Sequence, residues 1–194
     1  MIFNDIIFGT IESSELSINI NELSARMNSK VDLDELMPII DKFNSAAQYR
    51  FAYVKLPLSV NGDVCNFGCC SVKSKGLSTV LTQCNEAVFL IVSSGIDTDR
   101  LISRINIQSP AQAFILDAIG SAMIESCADY LYDIISNNHQ CTKRFSPGYS
   151  DFPIEFQKDM INRLNAESTV GITLSDKLMM IPMKSITAVM GIYK

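Results

Sequence analysis

The sequence predicts an α+β fold, in which a mostly antiparallel, twisted sheet is flanked by helices and one long central helix spans about residues 109–136. Helical and strand patterns intermix without the regular strand–helix–strand order of a parallel sheet. Asn61-Gly62 is a two-residue hairpin signal between strand-like segments. Residues 87–92 are an unbroken apolar run, which is typical of a strand buried on both faces.

The first 60 residues predict helices and strands that belong to the same domain as the core at 61–194. Apolar spacing and capping residues predict, in order, a strand at 6–9, a helix at 21–27 capped by Asn21, a helix at 32–43 capped by Asp32 and a strand at 50–60. Pro38 lies inside the second helix, where a proline removes a backbone hydrogen bond. We therefore expect that helix to be kinked or divided in two.

The middle of the chain leads into the long helix. We expect a return strand at 63–70, a helix at 74–83 capped by Ser74, a strand at 86–93 and a helix at 97–105. Ser109-Pro110 then starts the long helix, because serine caps well and proline suits the first helical position. Gly120 near the middle of this helix costs up to about 1 kcal/mol relative to alanine, which favours close packing of another element there.

A polar ladder interrupts the apolar long helix. Asp117, Ser121 and Glu125 recur every four residues and therefore share one helical face. Buried polar side chains need partners, so we expect either a ligand or other side chains at this face. For Glu125 the alternatives are a position at the helix edge, a bound cation and a nearby lysine or arginine.

The segment from Arg144 to Tyr149, Arg-Phe-Ser-Pro-Gly-Tyr, is the most informative in the chain. Proline presets φ and glycine accepts a positive φ, so Pro147-Gly148 predicts a tight turn. Arg144 and Tyr149 flank this turn, an arrangement that suits a small ligand with a carboxylate and a heteroaromatic ring. The alternative is an ordinary turn before a helix. After it we expect a helix at 151–164 and strands at 170–174 and 185–193.

Composition argues against several classes of function. The chain has 194 residues with 16 basic and 21 acidic side chains, and it lacks the basic cluster that nucleic-acid binding requires. It has neither a long apolar run nor a signal-peptide pattern, so we expect no membrane span and a cytoplasmic location. Glycine-rich phosphate loops are absent, and the single histidine, His139, argues against multi-histidine metal sites and a Ser-His-Asp triad.

The six cysteines are irregularly spaced, which in a cytoplasmic protein indicates reduced thiols. Cys65, Cys69 and Cys70 are candidate metal ligands, but their spacing differs from the usual C-x2-C pattern. Neighbouring cysteines on a strand also point to opposite faces. The sequence leaves the role of these three residues open.

Three segments resemble, in matching order, parts of the activation domain of cobalamin-dependent methionine synthase, and the resemblance covers roughly residues 74–194. The segment from Arg144 to Tyr149, with Pro153 shortly after it, resembles the family's R-x-x-P-G-Y-P motif. The other two segments are Leu174-Ser-Asp-Lys-Leu-Met-Met-Ile-Pro182 with Ser185, similar to L-T-E-S-x-x-M-x-P-x-x-S, and Ile124-Glu-Ser-Cys-Ala-Asp-Tyr-Leu131, similar to A-E-A-x-A-E-Y-L.

The resemblance implies an activation-domain-like fold with a site for S-adenosylmethionine. Carried over by position, the implied site residues are Glu125, Arg144, Ser146, Pro147, Gly148, Tyr149 and Pro182. Arg144 would hold the ligand carboxylate, backbone groups at Ser146 the adenine, and Tyr149 would add a hydroxyl contact. Glu125 would face the ammonium or sulfonium charge. Pro182 would lie near the rim that faces the cobalamin.

In that family the domain presents the sulfonium methyl group to inactivated cob(II)alamin while an electron arrives from a flavodoxin-type donor. The resemblance therefore implies a stand-alone domain that supports reductive remethylation in trans, on a methionine synthase lacking its own activation domain or on a related corrinoid protein. We do not expect the chain to be a complete synthase by itself. It has no D-x-H-x-x-G cobalamin motif, and its 194 residues are too few to include a homocysteine-binding barrel.

A second interpretation stays open. The family's site also uses an early acidic residue, for which Asp5, Asp32 and Asp34 are candidates, and a tyrosine in a C-terminal extension, whereas this sequence ends at Lys194. The alternative is a non-catalytic ligand-binding or interaction module that keeps the fold but has lost or changed the S-adenosylmethionine site. A third interpretation is a methyltransferase with a different methyl acceptor.

Overall fold

The protein is described by a computed structural model that covers residues 5–194. Its strands are β1 (Ile7–Thr10), β2 (Arg50–Pro57), β3 (Ser59–Asn61), β4 (Val64–Asn66), β5 (Ser71–Lys73), β6 (Cys84–Ser93), β7 (Thr173–Leu174), β8 (Met180–Ile181) and β9 (Ser185–Tyr193). Its α-helices are α1 (Ile20–Met27), α2 (Leu33–Ala46), α3 (Lys75–Leu81), α4 (Ile96–Gln108), α5 (Pro110–Ser136), α6 (Gln157–Leu164) and α7 (Ala166–Thr169). No helix within these described residues is both long and apolar enough to cross a membrane.

The central sheet has four strands in the order β1-β2-β6-β9, and every neighbouring pair is antiparallel. A three-stranded sheet, β3-β4-β5, and the two-stranded β7-β8 hairpin complete the β structure. The predicted α+β fold with a mostly antiparallel sheet is thereby confirmed. The segment 140–145 runs along β9, where the N–H groups of Phe145 and Val189 each donate to the other residue's carbonyl oxygen at 2.8 Å.

The two faces of β6 belong to two different cores. Even-numbered side chains at 88–92 pack with α1, α2, α4 and α5, whereas odd-numbered side chains at 87–91 pack with α3, α6, α7 and β4. Successive side chains of a strand point to opposite faces, so a strand between two apolar layers must be apolar throughout. This is why residues 87–92 are apolar without a break, and the predicted burial of this strand on both faces is confirmed.

The long helix α5 crosses α2 at a glycine. A Cβ atom at Gly120 would lie 2.7 Å from Cε2 and 2.9 Å from Cζ of Phe43. These distances are shorter than non-bonded contacts of Cβ atoms in folded proteins. Phe43 is completely buried at this crossing. The expected close approach at Gly120 is confirmed, and it holds α5 tightly against the helix that covers it.

At the N-terminal helices one prediction was wrong, and one of the two alternatives for Pro38 is excluded. Asn19, and not Asn21, caps α1, because its side-chain oxygen accepts the N–H groups of Asn21 at 3.0 Å and Glu22 at 3.2 Å. Pro38 does not divide α2, which is one helix of 14 residues. The proline removes a single backbone hydrogen bond, and the helix continues beyond it to Ala46.

The return strand predicted at 63–70 is shorter than expected, because only β4 lies within that range and β5 begins at Ser71, after a turn. β4 ends at Asn66, and Phe67 donates its N–H to the carbonyl of Cys70 at 2.9 Å, which closes a two-residue turn at Gly68-Cys69. The strand predicted at 170–174 is shorter than expected, because Val170 ends α7 and β7 begins at Thr173.

Candidate functional site

A groove of about 440 Å³ lies between α5 and the segment that follows it along β9. Its lining residues are Glu125, Asp129 and Tyr132 from α5, Lys143, Arg144, Phe145, Ser146 and Tyr149 from the following segment, and Ile186 from β9. A groove of this volume is within the range of small-molecule sites in proteins. It brings together four of the seven implied site residues: Glu125, Arg144, Ser146 and Tyr149.

The turn predicted at Pro147-Gly148 forms one end of the groove. Gly148 has φ +91°, a conformation that L side chains rarely adopt, and its N–H donates to the carbonyl of Phe152 at 2.8 Å. The N–H of Tyr149 donates to the carbonyl of Ser146 at 3.2 Å, which closes the turn. The turn therefore holds Ser146 and Tyr149 in fixed positions beside α5.

Asp151 connects this turn to the start of α3 through hydrogen bonds. Its carboxylate accepts hydrogen bonds from the Ser74 hydroxyl at 2.7 Å and from the N–H groups of Lys75 at 2.7 Å and Gly76 at 2.9 Å. These bonds, that of Ser74 foremost, lower the pKa of Asp151. The prediction that Asp151 starts its own helix is wrong, since it caps α3 and a 3-10 turn at Ile154–Phe156 leads into α6.

Arg144 points into the groove and is held by two carboxylates of α5. Its Nη2 donates to Asp129 Oδ1 at 2.6 Å and to Glu125 Oε2 at 3.2 Å. The Arg144 side chain is only 18% exposed, whereas Asp129 is 66% exposed. Within residues 5–194, the Nε and Nη1 donors of Arg144 have no hydrogen-bond partner, so they are available to an acceptor in the groove.

The polar ladder of α5 is satisfied by side chains from two other segments. Lys184 Nζ donates to Asp117 Oδ1 at 2.7 Å and to Ser121 Oγ at 2.9 Å, and Lys184 is almost completely buried. Glu125 instead meets Arg144. Glu125 therefore has an arginine as its partner, which is one of the alternatives that the sequence left open. This arginine, Arg144, is itself a candidate ligand-binding residue.

Sequence reasoning missed Asp129. It lies four residues after Glu125 and therefore on the same helical face, which extends the polar ladder by one step. The same spacing rule would have found it. Lys184 was missed as well, because no local pattern connects it with a helix 63 residues earlier in the chain.

Three implied site residues do not line the groove. Pro147 is buried inside the turn. Gly148 is exposed beside it, and its N–H already donates to the carbonyl of Phe152. Pro182 is buried, and its carbonyl accepts the Ser185 hydroxyl at 2.8 Å. Pro147 and Gly148 shape the turn, while Pro182 shapes the chain before β9.

Other candidate groups lie outside the groove. The ring of His139 approaches Lys55 Nζ at 3.5 Å. Cys127 is buried on α5, and burial raises the pKa of its thiol to about 12, against the opposing effect of Arg144. Within residues 5–194, no three or more His, Cys, Asp or Glu side chains are grouped as metal ligands.

Comparison with solved structures identifies the fold. The chain superimposes on the crystal structure of the MetH reactivation domain bound to AdoHcy with a TM-score of 0.76 and 14% sequence identity, covering 97% of this chain and 78% of that one. The activation-domain-like fold implied by the three sequence segments is therefore confirmed. No protein-family model matches the sequence. A search of curated protein sequences also gives no match.

Proposed function

We propose that the groove binds S-adenosylmethionine and that the chain is an activation-type domain. It would support reductive remethylation of cobalamin held by a separate protein, either a methionine synthase lacking its own activation domain or a related corrinoid protein. An electron donor of the flavodoxin type would complete the system. The observation that carries this proposal is the convergence of Glu125, Arg144, Ser146 and Tyr149 on one groove, in a fold shared with a domain bound to AdoHcy.

The residues of the groove fit the chemical groups of that ligand. Arg144 keeps Nε and Nη1 donors for the carboxylate of the methionine part, and a guanidinium bonds a carboxylate with charge-assisted hydrogen bonds. The N–H of Ser146 has no partner within residues 5–194 and suits an adenine nitrogen. Tyr149 is 66% exposed, so its ring is free to pack against the ligand. Glu125 carries the charge that an ammonium or sulfonium group requires.

The role of the chain in the reaction would be positioning. S-adenosylmethionine would supply the methyl group, and the cobalamin of the partner protein would accept it together with one electron. The chain would fix the orientation of the sulfonium methyl and exclude competing geometries. No proton transfer is required of its side chains, so the proposal needs no general acid or base.

A second function is favoured by one observation. Arg144 already donates to Glu125 and Asp129, so protein carboxylates occupy part of the position that a ligand carboxylate would take. A module that has lost or changed its ligand would keep this internal ion pair as a structural contact. Such a module would bind a partner or another small molecule without methyl transfer.

Calorimetric titration with S-adenosylmethionine separates the two functions. The wild-type protein should bind, and Arg144→Ala should weaken binding roughly 10- to 150-fold, because a hydrogen bond to a charged group contributes about 1.5–3 kcal/mol. Arg100→Ala is the matched control, since Arg100 forms an exposed ion pair with Asp97 outside the groove. It should bind like the wild type.

Two results would contradict the proposal. Absence of heat at millimolar ligand with the wild-type protein would favour the second function. Equal binding by wild type and Arg144→Ala would mean that the ligand binds elsewhere on the molecule.

A further inference from the structure

The turn between β4 and β5 places two neighbouring cysteines side by side. Gly68 occupies the first turn position with φ +80°, as a two-residue hairpin of this kind requires. Its N–H donates to Asn66 Oδ1 at 2.8 Å. Cys69 is the second turn residue, and Cys70 follows it at the base of the turn. Because Cys69 is in a turn and not on a strand, its side chain does not point away from that of Cys70, and their sulfur atoms are 3.6 Å apart.

The two thiols differ in their surroundings. Cys69 is exposed, whereas Cys70 is half-buried and packs against the second core. Burial, and then the hydrogen bond with Cys69, raise the pKa of Cys70. Cys65, Cys84 and Cys127 are buried. The turn therefore carries an accessible thiol with a second thiol directly behind it.

We propose that Cys69 and Cys70 are a reversible modification site, at which a small disulfide of the glutathione class converts the pair into a disulfide between adjacent residues. The Cys69 sulfur attacks the small disulfide, which breaks its S–S bond, releases one thiol and forms a mixed disulfide on Cys69. The Cys70 sulfur then attacks the Cys69 sulfur and releases the second thiol. Two cysteine thiols are oxidised, one disulfide is reduced to two thiols, and the two cysteine protons end on the released thiols.

The geometry of adjacent residues makes this disulfide labile. Consecutive Cα atoms are about 3.8 Å apart, whereas unstrained disulfides join Cα atoms about 4.4–6.8 Å apart. A strained and exposed disulfide has a more oxidising potential than a structural one and is reduced more easily. The pair therefore responds to a change in the ratio of disulfide to thiol, while the buried cysteines do not. This site does not line the groove, and the inference does not depend on the proposed function.

The test exposes the full-length protein to oxidised glutathione and follows its mass and free thiols. The wild-type protein should lose two of its six free thiols and two hydrogens, with no retained glutathione, and peptide mapping should place the bond between Cys69 and Cys70. Reduced glutathione should restore both thiols. Cys70→Ser should instead retain one glutathione on Cys69.

Cys141→Ser is the control, because Cys141 is half-buried and lies outside the turn. It should behave like the wild type. A disulfide that involves Cys65 or Cys141 would overturn the proposal, as would a stable glutathione adduct on wild-type Cys69. A Cys69–Cys70 bond that reduced glutathione fails to open would overturn its reversibility. Circular dichroism of each variant checks that the fold is kept.

Discussion

At the scale of single residues, the groove is organised around one cation shared by two carboxylates. Arg144 is largely buried, and it meets Asp129 at 2.6 Å and Glu125 at 3.2 Å. Asp129 is well exposed, so its bond to Arg144 contributes at most about 1 kcal/mol. The contact is therefore weak enough for a ligand carboxylate to compete with it, while Glu125 stays close to any positive charge that enters the groove.

Glu125→Gln tests that electrostatic role. The substitution removes a charge and keeps the shape, so it should weaken binding of S-adenosylmethionine by about 1 kcal/mol, or roughly five-fold in Kd. Binding of S-adenosylhomocysteine, which carries no charge at sulfur, should change less. Calorimetric titration of both ligands measures the difference.

Glu22→Gln serves as the control, because Glu22 forms an ion pair with Arg26 on α1 and lies outside the groove. Equal weakening of both ligands in Glu125→Gln would argue that Glu125 acts only by holding Arg144. Unchanged binding of both would remove Glu125 from the site.

At the scale of elements, the turn at 146–149 is held from two sides. The segment before it pairs with β9 through Phe145, and Asp151 after it caps α3 by accepting three hydrogen bonds. A site on a loop is precise only when the loop is fixed by its surroundings. The carboxylate of Asp151 is therefore the link between the stability of α3 and the shape of the groove.

Asp151→Asn should change the dependence of stability on pH. The folded-state pKa of Asp151 lies below the ordinary value of 3.8, so its stabilisation is complete above that pH and is lost as pH falls through the lowered folded-state pKa. The wild type should have the higher melting temperature at neutral pH, and the difference between the two proteins should shrink as pH falls below about 4.

Thermal unfolding of both proteins between neutral and acidic pH measures this effect. Asp41→Asn is the control, since Asp41 is exposed on α2 and its carboxylate makes no hydrogen bond within the described residues. A difference between wild type and Asp151→Asn that stays constant down to the lowest pH would contradict the role of the ionised carboxylate.

The elements that the sequence predicted well are those with local signals. Ser74 and Ser109 cap the helices expected of them, and the apolar run in β6 is buried on both faces. Two contacts that the sequence did not predict join distant parts of the chain: Lys184 with Asp117, and Asp151 with α3. Such pairs depend on how the layers stack, which no local spacing encodes.

Short turns limited the prediction in a different way. The segment 63–70 was predicted as one strand, although Gly68 within it allows the positive φ of the turn between β4 and β5. The prediction that Cys69 and Cys70 point apart followed from the strand assignment and failed with it. The candidate site was predictable only in part, because the resemblance supplied Arg144 and Glu125 but not Asp129.

At the scale of the whole molecule, the four-stranded sheet separates two cores and carries the groove along its β9 edge. The helix α5 supplies one wall and the segment paired with β9 supplies the other. This arrangement belongs to a fold shared with the MetH reactivation domain over 97% of the chain. Under the proposed function, the reactive group of a ligand in this groove would have to face a second protein.

Transfer of labelled methyl groups in a reconstituted system is the most direct test. The protein is mixed with methyl-labelled S-adenosylmethionine, a reductant and a methionine synthase that lacks its activation domain and holds cob(II)alamin. Label should appear on the cobalamin with wild type and Arg100→Ala, and it should fall roughly ten-fold or more with Arg144→Ala at limiting ligand. Transfer no greater than without the protein, at ligand concentrations that saturate the groove, would contradict the proposed function.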